Sequence, residues 1–407
     1  ARRIKPDHDI GGAQGAVAFP AAIPKRLEDG VWDRGFPVEV YNVLGAGDAF
    51  MAGFLRGHLT GASLPDSLRM ANGCGALVVS RHGCAPAMAT WPELRHLMDA
   101  GSSHRALRHD PALNHLHWST TRRSDLPELT VLAFDHRVQL ERMADQAGQS
   151  HDRIPQLKQL IYRAGRQVAG ADRSFGIIVD DRYGQDVLDQ ASGLGHFIAR
   201  PIELPETTPL HFEGQPDVGV TLAEWPVDHV AKCLVKMHPG DPIELQAAQH
   251  RQLEILFNAC RSTGHELLLE VVPSRGAAND GVVLAATLSQ LYGLGIRPDW
   301  WKLAGPDDNK GWQAIADAIG NGDPYCRGVV RLGLDAPEQE MVKTLGLAAE
   351  QPICKGFAIG RTIIGEAAAD WLGERIDDDT AVARMAAIYR RLIEAWRDAS
   401  SARRQSA

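Results

Sequence analysis

Beyond residue 128 the chain alternates between two rhythms. Short runs of apolar, often β-branched residues are followed by longer stretches in which apolar positions recur at helical spacing. The runs read "LTVLAFDHR", "FGIIVDDRYG", "HFIARPIELP", "HVAKCLVKMHPGD", "HELLLEVVPS", "PDWWKLAGP", "CRGVVRLGLD" and "PICKGFAIGR", with helical segments such as Ile243 to Cys260 between most of them. Such alternation of strand and helix implies a parallel sheet. Eight units over residues 128–400 predict a (β/α)8 TIM barrel, with a doubly wound sheet as the alternative.

The first 100 residues have a different texture, rich in Gly and Ala. "GAVAF" (Gly15 to Phe19) reads as a short strand, and "FPVEVYNV" (Phe36 to Val43) alternates like another. After a glycine loop, "DAFMAGFLRGHL" has helical spacing that puts Phe50, Phe54 and Leu55 on one side. A further helix is expected to run to Gly83, and "TWPELRHLM" is a short one capped by Thr90. Residues 101–127 are polar, basic and histidine-rich, and read as a linker between the N-terminal segment (1–100) and the barrel. His115 and His117 form an HxH pair, but no carboxylate or cysteine completes a metal site. No metal centre is expected.

Composition narrows the class without choosing within it. With 407 residues, 44% apolar and 23% charged, the chain has room for two packed domains. A net charge of −8 gives no basic surface for nucleic acid, and no apolar run approaches the ~18 residues of a membrane span. The six cysteines are scattered without a CxxC pair, which suits buried thiols in a reducing compartment. A cytoplasmic protein handling small molecules, as a homo-oligomer, is the expectation.

In a TIM barrel the chemistry sits at the C-terminal ends of the strands. There the sequence places Asp135 with His136 and Arg137 on the first strand, Asp180 on the second, Lys232 and Lys236 on the fourth and Glu270 on the fifth. Lys302 lies on the sixth, Arg331 with Gly333 on the seventh, and Gly360 with Arg361 on the eighth. Lys302 follows "DWW" in an apolar strand, where an ammonium must pair with an acid or lose its proton. A lysine depressed in pKa becomes a nucleophile able to form a Schiff base, and Glu270 on the neighbouring strand can move the protons that step requires. A buried ion pair that only holds the barrel is the plainer alternative. Asp135 and Asp180 are either an acid and a substrate-hydroxyl ligand or caps of the helices that follow. The glycines of "GFAIGRTI", Arg361, Arg331 and the Gly333 amide suit a phosphate after strands seven and eight.

On the motifs "AFDHR", "IIVDDRYG", "AKCLVKM", "LLLEVV", "DWWKLAG" and "AIGRTI", in that order, the second segment resembles the class I Schiff-base aldolases, particularly the tagatose-bisphosphate aldolase branch. The resemblance implies Lys302 as the Schiff-base lysine, Glu270 and Asp135 as acids, Lys232 as the fourth-strand lysine and Lys236 as a rim contact for a carboxylate or phosphate. Such aldolases often carry a serine on strand seven where this chain has "RLGLD".

"NVLGAGDAF" (Asn42 to Phe50) resembles the signature of ribokinase-type (PfkB) sugar kinases. The resemblance implies that Gly45, Ala46 and Gly47 form an anion hole for the transferred phosphoryl group, with Asp48 as base and Mg-ATP as co-substrate. Only 41 residues precede this loop, so the sugar-binding part is expected to lie outside these 407 residues and kinase activity to be weak or absent.

The fold class expected is therefore a partial ribokinase-like α/β domain followed by the barrel. That combination resembles the two-domain 5-dehydro-2-deoxygluconate kinases of myo-inositol catabolism. It implies aldol cleavage, without a cofactor, of a sugar-acid phosphate to dihydroxyacetone phosphate and malonate semialdehyde. A kinase with a non-catalytic barrel, kept as scaffold or sugar-phosphate sensor, is the alternative.

Overall fold

All eight apolar runs become strands, because each is bounded by turn residues and followed by a helix that buries its outer face. In the computed structural model, which describes residues 16–18, 31–122, 124–214 and 217–406, the chain forms two units divided between Ser124 and Asp125.

The second unit contains β3 (Leu129–Ala133), β4 (Phe175–Ile178), β5 (Phe197–Pro201), β6 (Val230–Lys236), β7 (Leu267–Val272), β8 (Trp300–Leu303), β9 (Gly328–Leu332) and β10 (Cys354–Ile359), numbered after two short strands in the first unit. All pair in parallel and in sequence order, and β10 closes onto β3. Side chains of a strand alternate between barrel interior and helix layer. Leu129, Val131, Ile178, Phe197, Leu268 and Trp300 fill the interior, with the Phe197 and Trp300 rings edge to face at 6.0 Å. The opposite faces carry Leu132, Ile177, Trp301 and Phe357, which pack under the helices. At Gly356 a Cβ would collide with the Leu129 carbonyl, so closure of the barrel there requires glycine.

The barrel helices are α5 (Arg137–Gln146), α6 (Ile154–Ala169), α7 (Asp181–Ala191), α8 (Val218–Ala223), α9 (Ile243–Thr263), α10 (Gly281–Gly293), α11 (Asn309–Gly322), α12 (Glu338–Ala349), α13 (Arg361–Leu372) and α14 (Asp378–Ser406). Asp180, Asp217, Asp280 and Asp308 each cap the helix that follows, satisfying first-turn amides. The last helix returns to the start of the barrel. Tyr389 of α14 donates its hydroxyl to the Thr130 carbonyl at 2.7 Å, and Arg397 reaches Glu128, Asp172 and Ser174.

In the first unit β1 (Ala16–Ala18) pairs antiparallel with β2 (Val31–Asp33); the flanking positions of the expected strand Gly15–Phe19 lie outside the described residues. The helices are α1 (Ala46–Leu59), α2 (Leu64–Val79), α3 (Trp91–Asp99) and α4 (Pro111–Thr120). Four expectations need correction. The helix expected to run to Gly83 ends at Val79, with Ser80 as its C-cap. Phe36 to Val43 is not a strand: its amides at Glu39 and Tyr41 bond to the Arg105 and Val79 carbonyls, and no strand ladder forms. The buried face of α1 is the small one, Ala46, Ala49, Gly53 and Gly57, while Leu55 is exposed. At Gly53 a Cβ would stand 2.7 Å from the Met70 carbonyl oxygen, so close approach to α2 outranks apolar size. Finally, the stretch 101–127 is not an open linker, since it contains α4, whose Leu113 is fully buried beside Leu107 and Val38. No helix among the described residues is long and apolar enough to cross a membrane.

Candidate active site

Five charged side chains converge where β3, β5, β6, β7 and β8 end. The β6–β7 register sets Leu234 opposite Glu270, and the β7–β8 register sets Glu270 opposite Lys302. Inward residues of neighbouring strands thereby come within reach of one another. Lys232 Nζ lies 2.7 Å from Glu203 Oε1, 3.1 Å from Asp135 Oδ2 and 3.1 Å from Glu270 Oε2. Lys302 Nζ is 3.0 Å from the same Glu270 oxygen. All five are buried. The lower interior is hydrocarbon, so these charges have only one another and the barrel opening.

The electrostatics separate the two lysines. Burial alone would depress Lys232, but Asp135, Glu203 and Glu270 around it hold its pKa well above the ordinary value. That carboxylate shell favours its ammonium form. Lys302, by contrast, touches a single carboxylate. Burial works against ionisation of Asp135 and Glu270 as well, yet Lys232 and Lys302 bring both below the usual carboxylate range. His136, next to Asp135, is lowered to about 4, first by burial and then by Lys302, Arg361 and Lys232 against the opposing Asp135. No described group hydrogen-bonds its buried Nδ1.

Other sequence candidates fall elsewhere. Asp180 caps α7 through the Tyr183 amide at 2.8 Å and pairs with the fully buried Lys158, which also donates to the Phe134 carbonyl. Of the two roles open to it, the cap is the one it fills, and it is not a ligand of the mouth. Arg331 is an outward residue of β9, paired in register with Leu303. Its guanidinium meets Met341 Sδ of α12 at 3.1 Å, which removes it from any phosphate at the mouth. Gly333 opens a turn in which its carbonyl accepts from Ala336. Gly360 caps α13, and glycine is needed there because a Cβ would strike the Ala133 carbonyl and stand 2.6 Å from His136 Cε1. Arg361 is half exposed and bonds Asp335 at 3.1 Å. Lys236 ends β6 exposed to solvent.

Glu203 is the residue sequence reasoning missed. It follows β5 in "RPIELP", two positions beyond a proline that ends the strand pattern. A bridge to Phe212 and a hydrogen bond from Arg137 to its carbonyl hold its backbone. Its only signal was an acid at an inward position past a strand end.

In the first unit Gly45, with φ 83°, is the N-cap of α1, and Gly47 and Asp48 are exposed in the first turn. No side chain caps this end, so those two amides are left without an intrahelical acceptor. The loop is fixed by Asn42, which donates to the Gly83 carbonyl at 2.7 Å. Gly45 is required, since a Cβ would stand 2.7 Å from Cys84 Sγ. His117 is tied into the first unit: its Nδ1 is 2.9 Å from Glu93 and 3.1 Å from Arg81. Among the described residues no cluster of His, Cys, Asp or Glu gathers as for a metal ion.

Fold and site together define a parallel (β/α)8 barrel with a buried lysine–carboxylate cluster, preceded by a kinase-type glycine loop. The chain belongs to the family described as an uncharacterized protein conserved in bacteria (DUF2090), which matches residues 93–400. Residues 11–91 match the pfkB family of carbohydrate kinases. Curated proteins similar to this region include the 5-dehydro-2-deoxygluconokinases of Bacillus thuringiensis (strain Al Hakam) and Bacillus anthracis (strain A0248), each 30% identical over 90 residues. Those 90 residues are 22% of this chain and 25% of each relative, so the chain spans a quarter of their length. Among solved structures, fructose-bisphosphate aldolase from Plasmodium falciparum, in a ternary complex with TRAP and a small-molecule inhibitor, superposes with a TM-score of 0.51 at 12% identity. The match covers 71% of this chain and 95% of the aldolase, a likeness of fold.

Proposed function

We propose that the barrel is a class I aldolase acting on a keto sugar-acid phosphate. The observation that carries this reading is the asymmetry of the two buried lysines: Lys232 is locked as a cation by three carboxylates, whereas Lys302 has one, Glu270, at 3.0 Å. Lys302 gives its proton to Glu270, and the free amine attacks the keto carbon. The carbinolamine takes a proton from Glu270 and loses water to leave an iminium. A carboxylate of the mouth, Asp135 or Glu270, then removes the proton of the hydroxyl β to the iminium carbon. The intervening C–C bond breaks, its electron pair neutralises the iminium as an enamine, and an aldehyde departs. Protonation of the enamine carbon and hydrolysis free the ketone. Lys232 stays charged and stabilises oxyanions formed on the way.

With 5-dehydro-2-deoxygluconate 6-phosphate as substrate, the products are dihydroxyacetone phosphate and malonate semialdehyde. The names of the Bacillus relatives support this choice, because a kinase for 5-dehydro-2-deoxygluconate supplies such a phosphate. Arg361, Gly360 and the α13 N-terminus are the proposed phosphate contacts, with Lys236 at the opposite rim. In the first unit the Gly47 and Asp48 amides at the start of α1 suit a transferred phosphoryl group, with Asp48 as base and Mg-ATP as donor.

The test is borohydride reduction in the presence of dihydroxyacetone phosphate, followed by peptide mass spectrometry. An adduct on Lys302 is expected, undiminished by chelator and absent in Lys302→Arg. An adduct on Lys232 or Lys236 keeps the class and corrects the nucleophile. No adduct on folded protein with excess ligand removes the aldolase reading and favours a kinase with a non-catalytic barrel.

A further inference from the structure

Glu203 stands out because half of its carboxylate has no protein partner. Oε1 holds Lys232 at 2.7 Å, while no described group donates to Oε2, although the residue is only 7% exposed. An ionised carboxylate oxygen accepts hydrogen bonds and cannot donate them, and a buried acceptor left unmatched is costly. The side chain is not loose: the Phe212 bridge, the Arg137 hydrogen bond to its carbonyl and the Arg137–Glu213 ion pair fix the segment that carries it. Around it the mouth gathers three carboxylates about two lysine side chains. That balance repels phosphate or carboxylate from this spot and attracts a neutral donor. Lys232 stands between Glu203 and the Glu270–Lys302 pair, so a donor at Oε2 belongs to a group set away from the atom that Lys302 engages.

We propose that Glu203 Oε2 accepts a hydroxyl of the substrate, on the carbon chain away from the keto carbon, and so selects a polyhydroxy ketone over a short one. This rests on the aldolase reading for the position of the keto carbon, but the hydroxyl contact itself requires no Schiff base.

Calorimetric titration of the full chain with two ligands sharing one phosphate–ketone end, dihydroxyacetone phosphate and fructose 1-phosphate, separates the possibilities. Glu203→Gln replaces the acceptor by an amide. It is expected to weaken fructose 1-phosphate by about 10- to 100-fold, the range for one hydrogen bond to a charged group, and dihydroxyacetone phosphate by less than about twofold. Glu203→Asp keeps the charge beside Lys232 while withdrawing the oxygen, and is expected to show the same selective loss. Thermal unfolding checks that each variant folds. Equal weakening of both ligands would mean that Glu203 only positions Lys232, and overturns the proposal, as does unchanged binding of fructose 1-phosphate or no binding of either ligand by the unaltered chain. Selective loss without any borohydride adduct keeps the hydroxyl site and removes the aldolase chemistry. An adduct on Lys302 with non-selective loss does the reverse.

Discussion

Replacing Lys232 by methionine keeps roughly the same length and removes one charge from the centre of the cluster. Three carboxylate oxygens lie between 2.7 and 3.1 Å from its Nζ. At an effective dielectric of about 20, each such contact is worth roughly 5 kcal/mol of gross Coulomb energy. Most of that offsets the cost of bringing the charges out of water. Removing one partner of a buried set while leaving the others costs about 3–5 kcal/mol. Asp135 and Glu203 would be left without an ion pair, and Glu270 with Lys302 alone.

The loss should depend on pH. In the unaltered protein Asp135 and Glu270 titrate below their ordinary range. The stability they lend is present above their unfolded values of about 4 and is lost as pH falls through the folded ones. In the variant Asp135 is unpaired and Glu270 keeps only Lys302, so burial works against the charged carboxylates and the destabilisation they cause ends once they are protonated. The deficit of Lys232→Met should therefore be largest at pH 7–8 and shrink toward pH 4. Urea unfolding followed by tryptophan fluorescence suits the measurement, because Trp300, Trp301, Trp312 and Trp371 are buried in the barrel unit. A deficit under about 1 kcal/mol, or one that is flat between pH 5 and 8, would refute the picture of an uncompensated buried cluster.

Two further outcomes follow from the same structure. His136 and His229 are both lowered to about 4, burial being the largest cause for each. Unfolded histidines take up protons near 6.5, so stability should be full above that pH and fall as pH drops from about 6.5 to 4; the double variant His136→Gln/His229→Gln should flatten this slope in pH-resolved unfolding. Gly360→Ala drives a methyl into the Ala133 carbonyl and His136 and should cost about 1–3 kcal/mol, whereas Gly346→Ala, in α12 with nothing within 4 Å, should gain up to about 1 kcal/mol. Thermal midpoints that move in the same direction would contradict the assignment.

The barrel was legible because each strand is a contiguous apolar run with its own turn signals, and buried β-strands announce themselves locally. Lys232, Glu270 and Lys302 were legible for a related reason: a charge inside an apolar run has few explanations. Glu203 was not, because it lies past the end of its strand and its partner is 29 positions away. Asp180 and Arg331 looked alike from the sequence as strand-end polar residues. Only the facing of each, toward Lys158 or Met341, separates them from the mouth. In the first unit the histidine-rich stretch hid α4, since its burial depends on Leu107 and Leu113 meeting Val38 rather than on a long apolar stripe.

The hydrogen bond from Tyr389 to Thr130 spans 259 positions, and β3 obtains its second neighbour only from β10. During synthesis the first barrel strand thus emerges long before the elements that cover it, and it must wait with one edge open while the remaining strands are made. The first unit, with its local helix pairs, can settle early; the barrel can be finished only after β10 and α14 have been made. A nascent or truncated product lacking β10 would carry an open barrel, so chaperone dependence and quality control fall on the eighth strand and the helices after it as much as on the strands that carry the charged cluster.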